Sequence, residues 1–261
     1  LEQTLVEGTY SLIKYDNRGR KTEMTSDADA AVDTGAPSYK YTYNSLGEMI
    51  AQEDPNGATT CYAYDKLGRM TKRVDNYQGS ITTQSIEACA YSSILQKVNE
   101  WSYDSATKGK GLLHTVAGPN NYLKTYGYDS TSRLESESTK FGSSSQPYTI
   151  GYGYNTNNGF QDLTLYPESF ATLKQFKPTG YFESIIDADN PSKDAYYQVT
   201  NMTVRDQVSH FTYGNGLSTV NDYYDDTGRL ESTESKVGTV GSSVLNMYYQ
   251  WDVRGNLSNR Q

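Results

Sequence analysis

Residues 62–70 read Tyr62-Ala63-Tyr64-Asp65-Lys66-Leu67-Gly68-Arg69-Met70, and this phrase decides the fold. Its two tyrosines are separated by one residue, so on an extended strand both rings point to the same face. The aspartate can open a turn, because its carboxylate accepts a hydrogen bond from the backbone two residues on, and the glycine can take a positive φ without steric cost. A returning strand then starts at the arginine and methionine. The phrase therefore predicts a β-hairpin.

The same phrase recurs along most of the chain. Good copies occupy residues 15–20, 41–49, 126–134, 223–230 and 249–257, and looser copies begin at Trp101 and Tyr152. The aromatic residues that precede Asp or Asn stand at positions 15, 43, 64, 103, 128, 154, 224 and 251, so most copies lie between 20 and 30 residues apart. This spacing fits two strands of roughly 5–8 residues, a turn and a linking loop. The longest gap, between Tyr154 and Tyr224, has room for degenerate copies, with residues 176–181 as a candidate.

The repeat gives a structural role to the aromatic residues of its first strand, to the Asp or Asn that opens the turn, and to the Gly near the end of the turn. These structural residues are Tyr15, Asp16, Gly19, Tyr41, Tyr43, Asn44, Gly47, Tyr62, Tyr64, Asp65, Gly68, Tyr126, Tyr128, Asp129, Tyr224, Asp225, Gly228, Trp251, Asp252 and Gly255. The arginines that follow the turns, at 20, 69, 133 and 229, can reach a neighbouring carboxylate or stack on a ring. Their regular spacing indicates architecture and not a binding or catalytic site.

The rest of the chain also favours β structure. Turn signals stand at residues 54–57, 117–121, 157–159 and 214–216, and the weak helical pattern from Thr83 to Gln96 is interpreted as strand or loop. Polar segments at 26–36, 142–147 and 237–243 are interpreted as long hairpin loops, because repeats continue on both sides of each. The sequence predicts an all-β fold, in which consecutive antiparallel hairpins form one long curved, shell-like sheet in a single repeat region over residues 1–261.

Composition excludes several classes of protein. The chain has 25 Tyr and a net charge of −8, so phenol rings must bury much of the surface, and nucleic acid or an anionic membrane is a disfavoured partner. It contains no apolar run long enough to span a membrane. The first residues, Leu1-Glu2-Gln3, show no targeting signal, and we expect the chain to be an internal fragment of a longer protein.

Candidates for chemistry are few. His114 and His210 are the only histidines, they are far apart in sequence, and no hydrolase, metalloprotease or phosphate-loop motif is present. The acidic stretches 187–194 and 27–33 lack the Gly and Glu of a calcium loop, so we interpret both as solvated loops. We therefore predict no catalytic residue, no cofactor and no metal. Cys61 and Cys89 are compatible with two free thiols or with one disulfide, and a disulfide would fit secretion.

The phrase Tyr-x-Tyr-Asp-x-x-Gly-Arg-Leu closely resembles the tyrosine-aspartate (YD) repeats of the Rhs family. That family includes bacterial polymorphic toxins, the B and C components of insecticidal toxin complexes, wall-associated proteins of Gram-positive bacteria and the animal teneurins. The resemblance extends to residues 101–113, 211–217 and 255–260, and it covers nearly the whole chain.

The resemblance implies a ribbon of hairpins that coils into a hollow shell. In bacterial members the shell encloses a toxic C-terminal polypeptide, which a downstream core-associated region cuts free. We find no counterpart of that region here, so neither self-cleavage nor toxicity transfers to these residues. The implied partner is the encapsulated toxin or effector of the parent protein, and the implied location is secreted or at the bacterial surface.

Two further readings stay open. The main alternative is a cell-surface module that binds carbohydrate or protein through exposed aromatic rings, and an enzyme built from scattered residues ranks third. We also expect the isolated chain to self-associate through its exposed strand edges.

Overall fold

The computed structural model describes residues 2–6, 9–25, 38–77, 89, 97–144, 146–238 and 242–261, with side chains from residue 11 onward. The chain divides into two compact units, Leu1–Tyr148 and Thr149–Gln261. Each is described by itself.

The first unit is built from eleven strands in the part of the chain that is described. They are β1 (Glu2–Val6), β2 (Thr9–Tyr15), β3 (Lys21–Thr25), β4 (Tyr39–Tyr43), β5 (Met49–Glu53), β6 (Thr59–Tyr64), β7 (Met70–Asp75), β8 (Lys97–Tyr103), β9 (Leu113–Gly118), β10 (Tyr122–Tyr128) and β11 (Leu134–Lys140). Each strand pairs antiparallel with the next strand along the chain.

The second unit has the same organisation. Its strands are β12 (Tyr148–Tyr154), β13 (Gln161–Leu165), β14 (Ala171–Phe176), β15 (Phe182–Asp187), β16 (Tyr197–Met202), β17 (Val208–Tyr213), β18 (Leu217–Tyr223), β19 (Leu230–Val237), β20 (Ser243–Trp251) and β21 (Leu257–Arg260). Consecutive strands again pair antiparallel from β12 to β21. The prediction of an all-β fold made of consecutive antiparallel hairpins is confirmed.

Every repeat hairpin carries a β-bulge beside its turn. Between β4 and β5, Tyr43 lies opposite Met49 but Thr42 lies opposite Ala51, so Ile50 has no partner in the register. The same shift occurs next to the last residue of the first strand in each repeat hairpin, at Tyr15, Tyr43, Tyr64, Tyr103, Tyr128, Tyr154, Phe176, Met202, Tyr223 and Trp251. A bulge increases the local twist and disturbs the hydrogen-bond ladder, which leaves room for an additional partner.

The long gap between Tyr154 and Tyr224 contains two further hairpins. The candidate copy at residues 176–181 is one of them, and its turn joins β14 to β15. A second copy joins β16 to β17 through residues 203–207, and the sequence alone did not reveal it.

A disulfide lies in the best-buried cluster of the first unit. Cys61 and Cys89 are bonded, with their Cα atoms 5.6 Å apart, and they pack with Ala63, Val74 and Tyr77. Of the two readings left open for the cysteines, the structure shows the bridge.

Aromatic rings pack across strands in the second unit. Phe160, Phe176, Phe182, Tyr197 and Phe211 follow one another with ring centroids between 5.1 and 5.9 Å apart. These separations are typical of favourable aromatic pairs, which supply contact area that aliphatic side chains provide in other sheets.

Several sequence interpretations fall outside the described residues. They concern the stretch from Thr83 to Gln96, apart from Cys89, and the polar segment that contains Asp27, Asp29 and Asp33.

Candidate functional site: the junction between hairpins

The aspartate that opens each turn holds the turn closed. Asp16 Oδ1 accepts hydrogen bonds from the backbone N–H groups of Arg18 at 2.8 Å and Arg20 at 3.0 Å. Gly19 closes the same turn with φ of +74° and donates its N–H to the Asp16 carbonyl at 3.0 Å. The same two hydrogen bonds, from the backbone N–H groups two and four residues on to the side-chain Oδ1, occur in the turns opened by Asn44, Asp65, Asp129 and Asp252.

These hydrogen bonds shift the titration of the turn carboxylates. The backbone N–H of Arg20 is the main cause of the lowered pKa of Asp16, and its guanidinium adds to the effect. Desolvation raises the pKa of Asp129, but the backbone N–H and guanidinium of Arg133 and the hydroxyl of Thr131 outweigh it and hold the pKa well below its usual range. The turn carboxylates are therefore structural anions that stay charged at neutral pH.

The arginine after the glycine connects one turn to the next. Arg20 donates from Nε to Asp16 Oδ2 at 2.7 Å, places its guanidinium 4.7 Å from the centre of the Tyr43 ring, and donates to the Asn44 carbonyl at 3.2 Å. Arg229 likewise donates to the Asp252 carbonyl of the following turn at 3.1 Å.

Arg69 makes the strongest of these connections. Its guanidinium contacts Asp65 at 2.7 Å and Asp104 of the next hairpin at 2.6 Å, and it lies 4.3 Å from the centre of the Tyr103 ring. Hydrogen bonds to Asp104 and Asp65 raise the pKa of Arg69, so the group is a permanent cation between two carboxylates. All three side chains are partly exposed, so the charge contacts orient the turns more than they add stability.

A second connection runs in the opposite direction, from the aromatic residue before each turn back to the preceding hairpin. Tyr64 Oη donates to the Met49 carbonyl at 2.8 Å, and Met49 is the first residue of the preceding return strand, next to its bulge. The same bond joins Tyr43 to Lys21, Tyr103 to Met70, Tyr128 to Leu113, Tyr223 to Val208 and, through indole Nε1, Trp251 to Leu230. We call this bond the aromatic clasp. It uses a backbone carbonyl as acceptor, so the preceding hairpin can vary in sequence.

The turn at residues 224–229 differs from what the repeat pattern in the sequence predicts. Tyr224 and Asp225 were aligned with the aromatic and acidic positions of the repeat, but this turn is one residue longer. Tyr223 consequently occupies the clasp position, while the Tyr224 hydroxyl donates to the Tyr249 carbonyl at 3.1 Å. The Asp225 carbonyl accepts a hydrogen bond from Arg205 of the preceding hairpin, and Gly228 has φ of +67°.

The remaining aromatic positions lie on the strands. Lys21 stands 4.4 Å from the centre of the Tyr41 ring, and Lys124 stands 5.3 Å from that of Tyr126. The Tyr62 hydroxyl is partly buried, and this burial raises its pKa. Tyr15 lies nearer the surface, with 42% of the residue exposed.

Two of the described hairpins lack a hydrogen-bond donor at the clasp position. Phe176 and Met202 occupy the clasp position, and neither side chain has a hydrogen-bond donor. In the second of them Thr203 Oγ1 takes the place of the carboxylate, accepting from Arg205 at 3.2 Å and Gln207 at 3.3 Å. Asp206 replaces the glycine with φ of +60°. No signal from the aromatic, acidic or glycine positions was therefore available to identify this copy.

The chemically reactive side chains have structural partners. His114 Nδ1 lies 2.7 Å from Ser105 Oγ, and His210 Nε2 lies 2.8 Å from Ser218 Oγ on the neighbouring strand. Acyl transfer needs an orienting carboxylate and oxyanion donors in addition to a serine–histidine pair.

The acidic loop that begins at Asp187 is closed by its own contacts. Asp187 accepts from Tyr196 Oη at 2.8 Å and from the backbone of Asp189, and it lies 3.6 Å from Lys193 Nζ. Among the described residues, no group of three or more His, Cys, Asp or Glu side chains is arranged to hold a metal ion. In the described part of the chain, no helix has the length and apolar character to cross a membrane.

Comparison with known proteins agrees with the hairpin architecture. A model of the RHS repeat matches residues 39–79, which include three turns with the bonds described above, opened by Asn44, Asp54 and Asp65. A crystal structure of TcdB2-TccC3-TEV is similar over 95% of this chain and 14% of that chain, with 12% identity and a TM-score of 0.63. A crystal structure of TcdB2-TccC3 without its hypervariable C-terminal region is similar to the same extent, with a TM-score of 0.62. No curated protein matches the chain.

The chain thus spans about one seventh of the length of the solved chains it resembles. At 12% identity, the similarity to the two solved structures shows a shared fold only. The RHS repeat model, in contrast, matches the amino-acid sequence. The matched repeat confirms, for residues 39–79, the resemblance inferred from the tyrosine-aspartate phrases: this part of the chain carries the RHS repeat.

Proposed function

We propose that the chain is a non-enzymatic wall segment, part of a hollow β-shell that encapsulates a C-terminal toxin or effector of its parent protein. The observation that carries this proposal is the repeated junction, in which a turn arginine reaches forward and an aromatic clasp reaches back. Such junctions join each hairpin to its neighbour and allow a wall of any length to be built from variable sequences.

Three further features fit this role. We propose that residues 1–261 form one repeat region, because the same clasp occurs in both compact units. The Cys61–Cys89 disulfide fits an oxidising compartment, which agrees with a secreted or cell-surface bacterial protein. One of the similar structures is described as TcdB2-TccC3 without its hypervariable C-terminal region, and such a region is a parallel for the proposed passenger.

Limited proteolysis of the intact parent protein tests the proposal. In the parent with the native repeats, we expect the C-terminal polypeptide to resist protease until the wall unfolds. The double substitution Tyr43→Phe and Tyr64→Phe removes two clasps and should expose the passenger at a lower denaturant concentration. Tyr41→Phe changes a tyrosine outside the clasp and is the matched control. A passenger that is digested equally fast with and without the clasps, or in the absence of denaturant, would contradict containment.

A carbohydrate-binding surface is the second candidate, because the rings of Tyr122, Phe141 and Tyr148 cluster at the end of the first unit, which extends to Tyr148, with the rings of Phe141 and Tyr148 6.3 Å apart. Phe141 is 56% and Tyr148 59% exposed, and the ring of Phe141 lies 5.7 Å from that of Tyr122. Exposed rings of this kind can stack on sugar faces. Binding on a glycan array that Tyr148→Ala abolishes and Tyr62→Phe preserves would favour this function over containment.

A further inference from the structure

The strand pairing between β15 and β16 is short, although one further backbone bond, from the Tyr196 N–H to the Ile185 carbonyl at 2.8 Å, closes its loop end. Its register joins Ser184 to Gln198 and Ile185 to Tyr197, and these two pairs make the shortest ladder between successive repeat hairpins in the second unit. All residues of both strands are described. Few cross-strand hydrogen bonds mean a low free energy of local opening.

A second bulge lies within β16, beside the turn-side end of this ladder. Val199 lies opposite Phe211 and Asn201 opposite His210, so Thr200 has no partner in the register on β17. The register with β15 ends at Gln198, just before this bulge. The other junctions of the second unit also start their pairing at the third residue of the return strand. The ladder is therefore short at its loop end, because β16 begins at Tyr197 and leaves Ile186 and Asp187 without a partner in the register on that side.

The clasp that would compensate for the short ladder is missing. By the pattern of the other hairpins, residue 202 should donate to the carbonyl of Phe182, but the methionine side chain has no donor. What joins the two turns instead is a bond between the exposed side chains of Tyr181 and Asp206, with Oη 2.6 Å from Oδ2. The rings of Phe182 and Tyr197 add one aromatic contact, at 5.8 Å.

The β3–β4 junction of the first unit is a natural comparison. Its described register is equally short, joining Glu23 to Lys40 and Met24 to Tyr39. This junction nevertheless has both connections, since Tyr43 donates to the Lys21 carbonyl at 2.8 Å and Arg20 to the Asn44 carbonyl. The two junctions therefore differ in the clasp, and at β15–β16 a longer bond of 3.4 Å from Gln198 Nε2 to the Glu183 carbonyl stands in its place.

We propose that the β15–β16 junction is a built-in seam, at which the second unit opens while the hairpins on either side stay folded. The seam is a conformational device of this chain, and it does not depend on a passenger or on containment. Opening there separates strands β12–β15 from strands β16–β21 without breaking any hairpin. The clasp at Tyr223 and the ladder from Leu217 to Tyr223 keep the later hairpins together.

Amide hydrogen exchange on the whole chain tests the seam. The amide of Ile185, whose carbonyl accepts from Tyr196 across the seam, should exchange about fivefold faster than the equivalent Met24 amide at the clasped junction, because one net hydrogen bond separates the two. Met202→Tyr supplies the missing donor and should slow exchange at the seam by about the same factor. Tyr43→Phe should speed exchange at the β3–β4 junction and leave the seam unchanged.

Equal exchange rates at the two junctions of the native chain would overturn the proposal, and this comparison requires no variant. A folded Met202→Tyr chain that exchanges at the native rate would also overturn it. Slower exchange at the seam in that variant, with unchanged rates in β18 and β19, would support it.

Discussion

Gly255 and Gly216 hold the same backbone conformation in different surroundings. Their φ angles are +92° and +83°, and a side chain in this region costs about 1–2 kcal/mol. A Cβ at position 216 would meet nothing within 4 Å, whereas one at position 255 would come within 2.8 Å of Arg229 Nη2. The arginine would have to move and give up its bond to the Asp252 carbonyl.

We therefore expect Gly255→Ala to lower the free energy of unfolding by about 1 kcal/mol more than Gly216→Ala. Urea unfolding of the two variants side by side measures the difference, and the second variant controls for backbone strain alone. Equal losses would show that the forward contact of the arginine contributes nothing.

The turn carboxylates make stability depend on pH in a defined direction. The pKa values of Asp16, Asp129 and Asp252 are lower in the folded chain than the ordinary value of 3.8. A group whose pKa is lowered by folding stabilises the protein fully above its unfolded pKa, and this contribution is lost as the pH falls through the folded value. Stability should be level above about pH 5 and should fall below about pH 4.

Denaturant unfolding at a series of pH values checks this expectation. Asp129→Asn should lower stability at neutral pH and make the decline in acid shallower, because one linked proton is removed. Glu231→Gln, outside the turns, is the control and should leave the slope as it is. A decline that begins near pH 6 would show that other groups dominate the acid response.

At the scale of the hairpin, the aromatic clasp should be worth one hydrogen bond per junction. Tyr64→Phe removes the donor to the Met49 carbonyl but keeps the ring, so we expect a loss of about 1 kcal/mol in unfolding free energy. Tyr41→Phe also removes a hydroxyl and keeps the ring contact with Lys21, and it should cost much less. Comparison of the two urea midpoints measures the clasp. Identical midpoints would mean that water satisfies the carbonyl equally well.

The disulfide stabilises the hairpins on either side of it. It closes a loop of 28 residues in sequence between β6 and the connection that follows β7, and cross-linking a loop of this size stabilises by about 3.5 kcal/mol on the chain-entropy estimate. The double variant Cys61→Ala and Cys89→Ala should lose up to this amount. Treatment of the native chain with a dithiol under partly denaturing conditions should give a similar loss, and it should not affect the double variant. A native chain whose midpoint is unchanged by complete reduction would contradict this estimate.

The hairpins could be predicted from sequence because their turns combine chemical requirements within a few residues. Asp65 accepts backbone hydrogen bonds within the turn and Gly68 takes a positive φ, so these residue types at this spacing identify the turn. The turn at 203–207 escaped detection because Thr203 and Asp206 meet the same demands with different side chains. Ser132 similarly takes φ of +63° where other copies have glycine, and its hydroxyl bonds to the Lys108 carbonyl.

The junctions were less predictable for a physical reason. The clasp acceptor is a backbone carbonyl such as that of Met49, which leaves no trace in residue identity. The bulges also cannot be recognised from residue type, since the unmatched residues include types as different as Thr22, Ile50 and Glu135. The sequence predicted that Arg20 and Arg69 could contact a carboxylate or an aromatic ring. It did not identify the partner residues, because these depend on the pairing of strands far apart in sequence.

At the scale of the whole molecule, the strand at the C-terminal end of the ladder has one partner. Among the described strands β21 pairs with β20 alone, and its other side presents backbone groups that another chain can pair with. We therefore expect the isolated chain to self-associate in a concentration-dependent way, and salt should strengthen the association because it screens the repulsion between copies that each carry a net charge of −8. Sedimentation velocity across a dilution series, at low and high salt, measures both effects.

Leu257→Lys places a charge on the edge strand and should weaken association. Val253→Lys, at a fully exposed turn position, adds the same charge away from that edge and serves as control. A chain that stays monomeric at every concentration would contradict edge pairing, and so would equal weakening by the two lysine variants, because the added charge would then act through net repulsion and not through the strand.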